Sequence, residues 1–194
     1  MSKVIVGNVA PYYNEYAIAV PSTTTLRPGG SIIQTKTVRS DSITTISAPN
    51  SGQGTTITEL NLAIAPQAAN NWLLFRWSIS GESGWNVNFL IHRDGSLITD
   101  SPYQGFNNVI GNVNLQSGYV TSWYDNDNST TPTTYFIQYA IRPSDTNSRT
   151  YAPAVRSSAN GESQTFYLNR VMNSTGAANQ ENGISTGVVM EIIA

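Results

Sequence analysis

Cysteine is absent from this 194-residue chain, so no disulfide framework, thiol nucleophile or cysteine-bound zinc site is available to it. Charge is scarce as well. Asp, Glu, Lys and Arg make up 11% of the residues, less than half the usual share, and Lys3 and Lys36 are the only lysines. The arginines (Arg27, Arg39, Arg76, Arg93, Arg142, Arg149, Arg156 and Arg170) form no run and no stripe. With a net charge of −2, that scatter leaves no electrostatic footprint for nucleic acid. No stretch approaches the roughly eighteen apolar residues of a membrane helix, and the opening MSKVIVGNVAPYYNEY lacks an apolar run of signal-peptide length. Nucleic acid and membrane are therefore not expected as partners.

What replaces charge is Ser, Thr, Asn, Gln and Gly. Disorder is not implied, because ten Tyr, five Phe and four Trp are spread along the chain. Such neutral, hydroxyl-rich and amide-rich chains suit β-structures on the outside of cells or virions, where polar side chains fill outward strand faces and loops. An exterior composition without a secretion signal fits assembly in a host cytoplasm and release by lysis, as virions do.

The pattern is all-β. Residues 1–50 are broken by Pro11, Pro21, Pro28-Gly29-Gly30 and Pro49, with short β-compatible runs between them at Val4–Val6, Tyr16–Val20, Ser31–Val38 and Ser42–Ser47. They read as an N-terminal arm leading into the first strands, and residues 51–194 as the main domain. From Thr56 alternation becomes regular: Leu60, Leu62 and Ile64; then Leu73, Phe75, Trp77 and Ile79 against Arg76 and Ser78; then Trp85, Val87, Phe89 and Ile91. Asp94-Gly95 predicts a tight hairpin into Leu97–Thr99. Further strands are predicted at Tyr103–Ile110, Tyr119–Tyr124, Thr134–Arg142, Thr165–Met172 and Thr186–Ile193. The last carries Val188, Val189, Met190, Ile192 and Ile193, an aggregation hazard unless it is paired inside a sheet or buried against other copies. Many short strands joined by turn residues predict a sandwich, jelly roll or barrel.

Chemistry is thin. His92 is the only histidine, and no G-x-S-x-G elbow accompanies it, so a sheet-face histidine is the simpler reading than a triad member. Asp125-Asn126-Asp127-Asn128-Ser129 begins like a calcium loop but has Thr130 where glycine is required and Phe136 where the bidentate glutamate belongs. A polar hairpin loop is the plainer assignment. Glu82, Asp94 and Asp100 flank the Asp94-Gly95 hairpin and are the carboxylates a glycosidase reading would use. The aromatic residues best placed to stack on sugars or a receptor are Trp123 and Tyr124 beside Asp125 and Asp127, with Tyr103 and Phe106 around Gly105. Neither a catalytic residue, nor a metal site, nor a cofactor is assigned.

The C-terminal third carries a resemblance. Thr134-Tyr135 with Gln138-Tyr139, Phe166-Tyr167-Leu168-Asn169-Arg170, Ile184-Ser185-Thr186 and Met190-Glu191-Ile192 resemble domains at the ends of structural proteins of tailed bacteriophages, particularly phages of cyanobacteria. The resemblance covers about 60 residues, and it extends back toward Thr56. It implies a trimeric jelly-roll β-sandwich of the tumour-necrosis-factor type. It also implies a non-enzymatic virion role, as capsid decoration, minor capsid or short fibre protein, with the major capsid or other virion proteins as partners. The Pro- and Gly-rich arm, through Val4, Ile5, Val6, Tyr12 and Tyr13, is then the segment expected to dock on the particle. Two alternatives stand beside it: a tail-fibre tip recognising host glycans, with loops at 125–132 and 144–152 in contact, and a carbohydrate-binding module.

Overall fold

The computed structural model describes residues 29–98, 120–121, 132–158, 161–174 and 181–194. In chain order the strands are β1 (Ile32–Ser40), β2 (Thr44–Ala48), β3 (Thr55–Thr56), β4 (Leu62–Ile64), β5 (Trp72–Ser83), β6 (Val87–Arg93), β7 (Ser96–Leu97), β8 (Val120–Thr121), β9 (Thr133–Ile141), β10 (Arg149–Ser157), β11 (Gln164–Leu168) and β12 (Ser185–Ile192). One 3-10 turn, Thr58–Leu60, precedes β4. The fold is all-β. Two antiparallel sheets pack face to face as a β-sandwich.

The long β5 organises the first sheet. One of its edges pairs with β9 from Leu73 to Gly81. Its other edge is shared end to end, by β12 along Trp72–Ser78 and by β11 along Gly81–Ser83. β1 then pairs with β12 and β2 with β11, so the outer row is also two strands long. In the second sheet β10 pairs with β6 on one side and with β3 and β4 on the other. Short β7 and β8 extend the far edge of β6.

Alternation decides what is buried. Leu73, Phe75, Trp77 and Ile79 of β5, with Tyr135, Ile137, Tyr139 and Ile141 of β9, face inward against Val87, Phe89 and Ile91 of β6 and Tyr151 of β10. Aromatic rings bridge the layers: Phe75 lies 4.5 Å from Tyr151 and Phe89 lies 5.0 Å from Tyr135. Trp77 stacks on Phe75 and donates its indole N–H to the Leu60 carbonyl at 3.1 Å. That indole lies against Gly187, where any Cβ would come within 2.6 Å of the ring. Burial raises the pKa of the Tyr151 phenol, with Arg93 opposing the shift. The sign follows: the unfolded chain ionises first, so stability present below the ordinary phenol range falls as pH rises through it. Tyr151→Phe is expected to flatten that alkaline decline, read as melting temperature against pH.

The hairpin at Asp94-Gly95 is as expected, with φ of 52° and 79° at its two central residues, the pairing a type I′ turn needs. Several other expectations change. The runs Ser31–Val38 and Ser42–Ser47 do form strands, β1 and β2, and because these belong to the first sheet, with Ile46 and Ala48 in its core, the sandwich begins before residue 51. Trp85 does not share the inward face of Val87, Phe89 and Ile91; it lies in the β5–β6 connection and is 47% exposed. The strand expected over Thr165–Met172 stops at Leu168, because Asn169 takes φ 58°.

Strand β10 was hidden by Pro153, since proline argues against a central strand. The structure tolerates it through register. The Pro153 carbonyl accepts the Ile57 N–H at 2.9 Å, so the position that lacks an N–H faces the gap between β3 and β4 rather than β6. The supposed contact loop 144–152 accordingly gives way to a strand at Arg149, and Tyr151 and Ala152 are buried.

β12 is an interior strand between β1 and β5. Its inward residues are Ser185, Gly187, Val189 and Glu191, while Val188, Met190 and Ile192 lie half-buried on the outer face. Only part of its apolar content is therefore core. The β1 edge itself carries an irregular register at Ile32/Gln34 and the exposed Lys36, both of which discourage strand addition.

Candidate functional site

The arm residues Val4, Ile5, Val6, Tyr12 and Tyr13 lie outside the described residues, as do Tyr103, Phe106, Trp123, Tyr124, Asp125 and Asp127. The remaining chemistry-bearing residues can be placed one by one.

His92 is 2% exposed and both ring nitrogens are engaged. Nε2 donates to the Gln53 carbonyl at 2.8 Å, and Nδ1 meets the Thr56 hydroxyl at 2.7 Å. The histidine thus pins residues 53–56 across the second sheet. His92→Ala is expected to lower stability by about 1–3 kcal/mol, the cost of leaving buried polar groups unpaired. Binding to any partner should be unchanged once the protein is folded. Denaturant melts together with a partner-binding isotherm check both halves of that statement.

Glu82 and Asp94, the two described carboxylates of the glycosidase reading, are not brought together. Asp94 sits at the tip of the β6–β7 hairpin; its Oδ1 accepts the Thr150 N–H at 2.8 Å and its Oδ2 meets Arg149 at 3.3 Å. Arg149 also holds Asp145 at 3.0 Å, and the Asn147 N–H and Arg149 together keep the Asp145 carboxyl below the usual range. Glu82 is buried on the other sheet and accepts the Met172 N–H. Asp100 lies outside the described residues. Among the described residues, no group of three or more His, Cys, Asp or Glu side chains is arranged to hold a metal ion.

Where the resembling motifs meet, the structure builds a buried polar knot at the junction between β11 and β12. Asn169 is fully buried in a left-handed conformation. Its N–H donates to the Ser80 carbonyl at 2.9 Å and its own carbonyl accepts the Gly183 N–H at 2.8 Å. Its Nδ2 donates to the carbonyls of Ser40 at 3.1 Å and Ser42 at 2.9 Å, and its Oδ1 accepts the Ser185 hydroxyl at 2.6 Å. One side chain therefore ties β1, β11 and β12 together, and its backbone ties in β5. Glu191 does the same at the opposite end of β12. Its Oε1 accepts the N–H groups of Gln67 (2.7 Å) and Ala68 (3.3 Å) and the Asn71 amide (2.7 Å), while Oε2 accepts from Gln34 at 3.0 Å. These are architectural roles, and both residues were legible only as motif letters.

Two surface features remain. On the outer face of the first sheet an open groove of about 500 Å³ runs past Arg39, Arg76, Phe136 and Val188. Phe136 is 73% exposed there beside Ser78 and Thr186, Val188 is half-buried in the next row with the exposed Arg76 and Gln138, and half-buried Leu74, Ala140 and Met190 form the row beyond. At the other end of that sheet a smaller cleft of about 270 Å³ is lined by Trp85, Ser163, Gln164, Thr165, Tyr167 and Met172. Sequence reading missed this cleft by assigning Trp85 to the core; the Ser83-Gly84 step before it was the available turn signal.

No protein-family model matches the chain, and no curated protein sequence matches it significantly.

Proposed function

We propose that this chain is a non-enzymatic structural protein of a tailed-phage particle, a homotrimer on the virion exterior acting as capsid decoration, minor capsid or short fibre protein. The observation that carries the reading is the outer face of the first sheet. An antiparallel sheet usually turns a polar face to solvent. Here Leu74, Phe136, Ala140, Val188, Met190 and Ile192 share that face with Arg76, Ser78, Gln138 and Thr186 across three neighbouring strands, so it is more apolar than a fully solvated face but not uniformly so. Sheet-to-sheet packing already uses the opposite face, and further copies of the chain are the cover that this reading assigns to the apolar part of the outer one. The resemblance of the C-terminal motifs to phage virion domains supplies the trimeric state and the location. Glu82, Asp94 and His92 are each held by structural hydrogen bonds, which favours binding over catalysis.

Attachment is assigned to the segment before Gly29, since residues 32–48 are already spent on β1 and β2. Co-purification of the protein with intact particles, lost when residues 1–28 are deleted, is the expected result. A protein never found on particles would contradict the proposal. Within the assembly, Phe136→Lys is expected to weaken trimers by more than about tenfold in dissociation constant, because a buried unpaired ammonium is costly. The fold itself should survive, since Phe136 makes no part of the core cluster. Sedimentation velocity of the variant checks both points.

A further inference from the structure

We infer that the cleft beside Trp85 is a binding site for a neutral pyranose ring. The inference goes beyond the proposed function, gives a location to the glycan contact expected of the tail-fibre-tip alternative, and does not depend on self-association.

The argument starts from the lining. None of Trp85, Ser163, Gln164, Thr165, Tyr167 and Met172 carries a charge. The charged groups behind them are engaged, Arg170 with Thr45 and the Ser174 carbonyl and Glu82 with the Met172 N–H, so the lining itself presents no ion pair to a phosphate, a carboxylated sugar or an amine. What it offers is the Thr165 hydroxyl on the same strand face as Tyr167, the Ser163 hydroxyl just before that strand, and the aromatic side chains of Trp85 and Tyr167. Such hydroxyls both donate and accept hydrogen bonds, which matches a ligand whose hydroxyls do the same. The aromatic rings give an apolar face to the C–H side of a sugar ring. At about 270 Å³ the cleft lies just under the range typical for drug-sized ligands, which suits a single ring and not an extended chain.

The geometry is also held in advance. The Arg170 guanidinium sits 4.8 Å from the centre of the Tyr167 ring and donates to the Thr45 hydroxyl at 2.6 Å, which fixes both the arginine and the ring beneath it. The Met172 N–H is held by the buried Glu82 carboxylate, and Gly84 leaves room for the Met172 methyl, which a Cβ there would approach to 2.8 Å. Ser163 is positioned by the Asn50 N–H, which its hydroxyl accepts at 3.3 Å. Glu82 thereby acts behind the cleft as a positioning residue. Such restraint lowers the ordering cost of binding. Trp85, at 47% exposed, is the largest of the apolar surfaces in the cleft still open to water.

The test is calorimetric titration of the intact protein with methyl glycosides of neutral hexoses and N-acetylhexosamines, alongside sialic acid and AMP as charged probes. Immobilised cell-surface oligosaccharides run in parallel separate a polymer ligand from a free sugar. The expected result is saturable millimolar binding of at least one neutral glycoside, weakened about tenfold in Trp85→Ala and retained in Trp85→Phe. Thr165→Val should weaken it several-fold and decides the matter if Trp85→Ala fails to fold. Oligomeric state should be the same in every variant, which separates loss of this site from failure of the trimer. Absence of binding to every neutral glycoside, preference for the charged probes, or full binding by Trp85→Ala would each overturn the inference.

Discussion

Removal of residues 189–194 is expected to abolish soluble, folded protein. The cut takes away half of β12, and β12 is the strand through which β1 joins the rest of the first sheet. Val189 leaves the core, where it is fully buried, and Glu191 leaves the hydrogen bonds that hold residues 67–71 and Gln34. Half-buried Met190, Ile192 and Ile193 go with them. Each buried side chain of this type contributes about 1.5–3 kcal/mol when fully enclosed. The opened ladder on β5 and β1 adds unpaired backbone groups to that loss. The sum is comparable with the roughly 5–15 kcal/mol of a whole domain. A truncated protein recovered in the soluble fraction and melting like the full chain would show that β12 is dispensable.

Asn169 is the second position where a large effect is expected. Asn169→Ala removes the amide that bridges Ser40, Ser42 and Ser185 and keeps the left-handed backbone, now without a side chain suited to it. Leaving buried carbonyls and a hydroxyl unpaired costs about 1–3 kcal/mol per group, so a loss near 3–5 kcal/mol is expected. Asn169→Gly separates the two causes. Glycine tolerates the positive φ but also lacks the amide, so it should recover only about 1 kcal/mol relative to alanine. Equal stability of the glycine variant and the native protein would show that the amide network contributes nothing. Urea denaturation of the three proteins side by side gives the comparison.

How far the fold was legible follows from which physics each segment expresses. β5, β6, β9 and β12 show period-two alternation because one face of each packs on the core, and Asp94-Gly95 shows its turn because only a few residues accept φ > 0 at two successive positions. β10 was illegible because Pro153 reads as a strand breaker unless its neighbours are known, and its harmless register depends on β3 and β4 lying end to end beside it. β1 and β2 were legible as the β-compatible runs Ser31–Val38 and Ser42–Ser47, but their membership of the sandwich was not, because the arm and the first strands share one composition. The polar knot was illegible for a different reason. The side chains of Asn169 and Glu191 are buried by partners 16 to 157 residues away in the sequence, and no local pattern reports that. A partial signal existed: Glu191 stands in phase with Val189, so alternation alone placed a carboxylate on an inward face. The cleft at Trp85 needed the same long-range knowledge, because it joins the β5–β6 connection to β11 and to the turn after Asn169.

The central claim is that the outer face of the first sheet is covered by further copies of the chain. Sedimentation equilibrium of the purified protein at micromolar concentration tests it most directly. The account predicts a single species at three times the 21.0 kDa chain mass, converted toward monomer by Phe136→Lys. A native protein that sediments as a monomer across that range would contradict it.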